Sequence, residues 1–158
     1  MKMQPIVTVL LLLIILVLSA AVLINLDNGS LTADSNPDTK GYTYIVVQIY
    51  PHDTKAFTQG LIYADDYLYE GTGLYGQSSL RQVELSTGNS IRKVELPSTY
   101  FGEGITAVND TIIQLTWTSK IGFIYNKTDL ALIGNFSYPT EGWGLTFDGK
   151  QLILSDGS

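Results

Sequence analysis

Three stretches of the chain align without gaps on a shared glycine: Gly60-Leu61-Ile62-Tyr63, Gly104-Ile105-Thr106-Ala107 and Gly144-Leu145-Thr146-Phe147. Each is followed by a polar turn, Ala64-Asp65-Asp66, Val108-Asn109-Asp110 or Asp148-Gly149-Lys150. A second apolar run then returns: Tyr67-Leu68-Tyr69, Thr111-Ile112-Ile113 or Gln151-Leu152-Ile153-Leu154. Apolar runs of this length on either side of Asp, Asn and Gly read as β-hairpins. Further strand-like runs lie between them, Leu80 to Leu85 and Ile91 to Leu96 around Ser86-Thr87-Gly88-Asn89, then Gly122 to Tyr125 and Ala131 to Phe136 around Asn126 to Asp129. Four short strands per unit, with register glycines 44 and 40 residues apart, is the period of a β-propeller blade. A plain β-sandwich accounts for the strands but not for glycines in register.

Propellers close with about four to eight blades, and residues 41–158 hold fewer than three such units. The expectation is therefore the N-terminal part of a longer all-β propeller. Residues 1–26 stand apart from it. Ile6 to Ile24 is almost wholly apolar and is preceded by Lys2. A bilayer is crossed by about 20 apolar residues, whereas secretory h-regions run to about 7–15. That length favours an uncleaved signal-anchor helix, and the small residues Ser19, Ala20 and Ala21 leave signal-peptide cleavage open. Lys2 keeps the N-terminus cytoplasmic by the positive-inside rule. The rest is then extracytoplasmic, membrane-anchored through residues 6–24 or secreted. Residues 27–40, rich in Asn, Ser, Asp and Thr, read as a tether. Sequons occur at Asn28, Asn109, Asn126 and Asn135, and they matter only in a compartment that glycosylates.

Composition narrows the chemistry. The 158 residues carry 9 Lys and Arg against 15 Asp and Glu, for a net charge of -6, with one His and no Cys. A thiol nucleophile, a disulfide scaffold, a Cys-built zinc site and a His metal cluster are excluded, so no metal or cofactor is expected. The acidity argues against a nucleic-acid partner.

The functional signal sits just ahead of the register glycines, at Gln59, Glu103 and Trp143. The first strand of each propeller blade lines the central channel, so equivalent residues converge on one axial site. Phe57 and Phe101 precede Gln59 and Glu103 by two residues and share their face in a regular strand. Trp117 follows the second strand of its hairpin. The same four rings would equally serve as packing between blades. Gly71-Thr72-Gly73-Leu74-Tyr75-Gly76 has the glycine spacing of a dinucleotide fingerprint, but the helix that must follow is replaced by another alternating hairpin. His52 reads as a surface or turn residue. Glu141 is the main rival to Glu103, and its loop position points to a structural or solvent role. Glu70 and Asp156 carry no distinguishing pattern, and no G-x-S-x-G elbow is present.

Pro51-His52-Asp53, Ala56-Phe57-Thr58-Gln59-Gly60-Leu61, Tyr69 to Leu80, Phe101-Gly102-Glu103-Gly104-Ile105, Gln114-Leu115-Thr116-Trp117 and Glu141-Gly142-Trp143-Gly144-Leu145 together resemble the glutaminyl-peptide cyclotransferases of plant and bacterial type. The resemblance runs from about Tyr42 to the last residue. It implies a five-bladed propeller that converts the N-terminal glutamine of peptide or protein substrates to pyroglutamate, with release of ammonia and without a metal. It assigns the catalytic carboxylate to Glu103, the pocket glutamine to Gln59, and the aromatic walls to Phe57, Phe101, Trp117 and Trp143. A further Trp, an Asn and a basic residue of that family belong to later blades. The competing expectation is a non-catalytic extracytoplasmic propeller that binds peptides or glycans.

Overall fold

A computed structural model of the chain describes residue 41 and residues 43–158. The expected leader, its apolar helix and the tether, residues 1–40, lie outside the described residues. All elements below belong to the unit Val46–Ser158.

The first sheet is an antiparallel meander of four strands, β1 (Thr58–Ala64), β2 (Tyr67–Thr72), β3 (Ser79–Val83) and β4 (Ser90–Glu95). The second repeats it with β5 (Gly102–Val108), β6 (Thr111–Thr116), β7 (Ile121–Asn126) and β8 (Leu132–Ser137). A third hairpin pairs β9 (Leu145–Phe147) with β10 (Leu152–Leu154). The all-β expectation thus holds among the described residues, with every strand pair antiparallel.

The turns form where the sequence places residues that tolerate left-handed backbone. Asp65 and Asp66 lie at φ 51° and 65°, Asn109 at 51° and Gly149 at 94°. Two central residues at positive φ give the twist that suits a two-residue hairpin. Gly71 to Gly76 does not open a helix. The chain leaves β2, turns through Leu74 at φ 80° and Gly76 at φ 73°, and returns as β3. The dinucleotide reading is thereby excluded.

Observed strand limits differ from the sequence reading where pairing is irregular. The run expected over Leu80 to Leu85 ends at Val83, because the register slips between Gln82 and Val83 and Glu84 enters the following turn. The third hairpin is shorter than expected: Trp143 and Gly144 lie ahead of β9, although the Trp143 N–H donates to Ser155 O at 3.0 Å.

One core joins the two four-stranded sheets. Tyr69 and Leu80 of the first meet Ile105, Ile112 and Phe123 of the second, all at most 7% exposed. Each such side chain contributes about 1.5–3 kcal/mol by leaving water. The middle strands of each sheet are the most buried, and the outer strands β4 and β8 are largely solvated. Strand β5 lies against β1 on one side and β9 on the other. The register glycines are what allow this approach. A Cβ on Gly60 would lie 2.5 Å from Ile105 N, and one on Gly104 would overlap Trp143 O and lie 2.8 Å from Leu145 N. Backbone cannot swing aside as a side chain does, so only glycine fits. The Gly104 N–H uses the closeness to donate to Trp143 O at 2.8 Å.

Candidate active site

The same strands that approach so closely also carry bulges at their first residues. In β1, Thr58 pairs with Thr72 and Gly60 with Gly71, so Gln59 is an extra residue. In β5, Gly102 pairs with Thr116 and Ile105 with Gln114, which leaves Glu103 and Gly104 opposite Leu115 alone. A bulge bends its strand locally and interrupts the ladder. Gln59 and Glu103 face one open cavity of about 490 Å³, together with Phe57 and Phe101 as period two expects.

That cavity is lined by Phe57, Gln59, Phe101, Glu103, Trp117 and Trp143, with Gly144 and Ser155 completing the wall. All six residues singled out in the sequence therefore meet in one place. Phe101 is the hub of the rings. Its centroid lies 6.1 Å from that of Phe57 and 5.8 Å from that of Trp117, at interplanar angles of 89° and 66°. Edge-to-face pairs of this kind contribute about 0.5–1.5 kcal/mol beyond burial. Gly73 makes room for the hub, since a Cβ there would strike the Phe101 ring. Backbone bonds align the walls: Gly73 N–H donates to Phe57 O at 2.8 Å and Trp117 N–H to Phe101 O at 3.0 Å.

Glu103 is partly buried among these rings, and loss of hydration pushes its carboxyl up from 4.5 to about 7. Apolar surroundings disfavour the charged form, so the group holds its proton into the neutral range. Tyr138 stands near enough for the charge of Glu103 to raise its phenol, though burial is the larger cause. The Tyr138 hydroxyl is itself bound to the backbone of Thr116, from whose N–H it accepts at 3.1 Å and to whose carbonyl it donates.

Three features escaped the sequence reading. Tyr75 packs its ring edge-on against Phe101, with centroids 5.5 Å apart, and extends the aromatic wall. Its place inside the glycine-rich turn gave no strand alternation to read. Ser155 lines the cavity and its Oγ accepts from Gly144 N–H at 2.9 Å. Glu70, only 1% exposed, is a buried anchor: Oε1 faces His52 Nε2 at 2.8 Å and accepts from the Thr58 hydroxyl at 2.6 Å. Arg81 stands 3.9 Å from its second oxygen and also pairs with Asp53 at 2.9 Å. The network holds residues 52–58 against β2 and so fixes the approach to Phe57 and Gln59. His52 remains part-exposed, as expected of a turn residue, and its partner is this buried carboxylate.

Fold and site together define an all-β protein whose adjacent antiparallel sheets enclose an aromatic-walled pocket with one desolvated acid and one amide. The chain belongs to the glutamine cyclotransferase family, whose model matches residues 16–158. It is 46% identical over 115 residues to a glutaminyl-peptide cyclotransferase of Arabidopsis thaliana, a match covering 72% of this chain and 36% of the relative. Among solved structures it is similar to the glutaminyl cyclase of Myxococcus xanthus, with a TM-score of 0.62 and 34% identity, over 68% of this chain and 45% of that one. The chain thus spans less than half the length of each of these relatives.

Proposed function

We propose that the two meanders and the third hairpin are the first blades of a five-bladed β-propeller, and that the complete protein cyclises the N-terminal glutamine of peptides to pyroglutamate. Support comes from family membership, from the blade-like spacing, and from the approach of β1, β5 and β9 at their register glycines. The observation that carries the chemistry is that Glu103 and Gln59 line one ring-walled cavity, where loss of hydration raises the carboxyl towards neutrality.

In this reaction the substrate's α-amine attacks its own side-chain amide carbon. A new C–N bond closes the five-membered lactam, the bond to the original amide nitrogen breaks, and ammonia leaves. The nucleophile is tethered, so holding it in position supplies much of the acceleration. The amine loses one proton and the departing nitrogen gains one. Glu103 takes the first and returns it to the second, acting as base and then acid. A free α-amine has a pKa of about 7.7–8.0, so a carboxyl near 7 is well matched to it. Gln59 donates its amide N–H to the substrate carbonyl oxygen as negative charge develops there. Phe57, Phe101, Trp117 and Trp143 exclude water and favour an uncharged substrate side chain.

The deciding experiment compares ammonia release from peptides beginning with Gln and with Glu, using the full-length protein. Rapid release from Gln peptides with far slower cyclisation of Glu peptides is expected. Equal rates would remove the pocket account, and peptide binding without ammonia from either would favour a binding module. The reading also places the propeller on the extracytoplasmic side, carried there by residues 6–24 as anchor or signal peptide. Intact-mass measurement of the exported protein tests whether that leader is retained.

A further inference from the structure

Glu141 takes no part in the proton relay, yet a single oxygen of its carboxylate binds both indoles of the cavity wall. Oε2 accepts from Trp117 Nε1 at 2.7 Å and from Trp143 Nε1 at 3.1 Å. Trp117 follows β6 in the second sheet, whereas Trp143 precedes β9 in the next hairpin. One side chain therefore ties together two walls supplied by different sheets. The backbone beside it is held as well: Gly142 N–H donates to Trp117 O at 3.2 Å. A Cβ at Gly142 would strike the Tyr138 hydroxyl and lie 2.9 Å from Thr116 O, so the strap carrying Glu141 is pressed close to the second sheet.

The need for such a tie follows from exposure. Trp117 and Trp143 are 37% and 47% exposed, so packing covers only part of each ring. Charge-assisted hydrogen bonds are short and directional and fix planes that partial packing leaves free to turn. They also occupy both indole N–H groups, so the rings turn carbon faces rather than donors to the cavity.

We infer that Glu141 is a positioning residue that sets the two indole planes for gripping the glutamine side chain, contributing to substrate binding rather than to proton transfer. This role rests on the cyclotransferase reading. Its signature is a rise in KM with little change in kcat, because the grip acts alike on bound substrate and transition state.

The test uses the full-length protein with a Gln-initiated peptide. Glu141→Ala should raise KM roughly tenfold, the size expected for losing hydrogen bonds to a charged acceptor, and lower kcat by less than about threefold. Glu141→Gln keeps a carbonyl acceptor and should recover most of the loss. In a Trp117→Phe, Trp143→Phe background, which keeps rings but removes both donors, Glu141→Ala should add nothing further. NMR of tryptophan labelled with 15N gives a readout independent of turnover. The indole N–H signals of residues 117 and 143, assigned from the Phe variants, should move and exchange faster with water in Glu141→Ala. Unmoved indole signals would overturn the tie itself. Moved signals with unchanged KM, or a loss confined to kcat, would overturn the role in binding. If wild type releases no ammonia, the cyclotransferase reading and this role in its substrate binding fail together, while the NMR arm still decides whether the tie exists.

Discussion

Replacing Glu103 with Gln should make the protein more stable above neutral pH while removing its catalysis. The fold prefers the protonated acid, whose carboxyl is pushed up from 4.5 to about 7 by burial. Stability from this preference is fully present below the unfolded value near 4.5 and is lost as pH rises through about 7. Each tenfold change in proton affinity corresponds to about 1.4 kcal/mol, so the displacement sets a ceiling of about 3 kcal/mol. Water at the open side of the cavity screens part of this, and about 1–2 kcal/mol is the expected size. Gln has nearly the same shape and no charge to desolvate. Urea unfolding of full-length wild type and Glu103→Gln at pH 5 and pH 8 should therefore show a stability difference that grows in the variant's favour at pH 8. Ammonia release should fall by about 10²–10⁴, the usual contribution of a positioned acid or base. A stability difference that stays constant between the two pH values would refute the desolvation argument, and retained turnover would refute the relay.

The ratio kcat/KM should rise with pH and then level off, because the relay starts from a neutral substrate amine and an ionised Glu103. The rise should span the Glu103 value near 7 and the amine's value of about 8, and a stopped ammonia assay across pH 5–10 would show it. Gly104→Ala should cost about 2–3 kcal/mol in urea unfolding, since its Cβ meets the backbone of Trp143 and Leu145 rather than movable side chains. Glu70→Ala should cost about 3 kcal/mol by leaving Thr58, His52 and Arg81 without their buried partner. It should also raise KM by loosening the segment that carries Phe57, measurable with the same peptide assay.

Much of the fold is written in local pattern. Apolar alternation and Asp, Asn or Gly at hairpin tips locate the strands, because those residues accept the positive φ seen at Asp65, Asp66, Asn109 and Gly149. The register glycines were legible for a physical reason that only the structure supplies: Gly60 and Gly104 mark where the inner strands of neighbouring sheets come too close for a Cβ. The residues ahead of them were legible by the same token. Period two places Phe57 with Gln59 and Phe101 with Glu103 on one face, and all four line the cavity; what alternation hides is the bulge at which each polar residue sits in β1 and β5. Contacts between residues distant in sequence were hidden too. Glu141 lies two positions from Trp143 but 24 from Trp117, and nothing in that spacing announces a shared hydrogen-bond acceptor. Glu70 sits in a strand like any polar residue, and its partners His52 and Thr58, 18 and 12 residues back, explain how it is buried.

The most direct measurement is a carbon-13 NMR titration of the Glu103 side-chain carboxyl in the full-length protein, assigned by its absence in Glu103→Gln. A midpoint near 7 is the predicted result. A midpoint near 4.5, the ordinary value for a solvated glutamate, would contradict the account of a dehydrated acid held ready between two nitrogens.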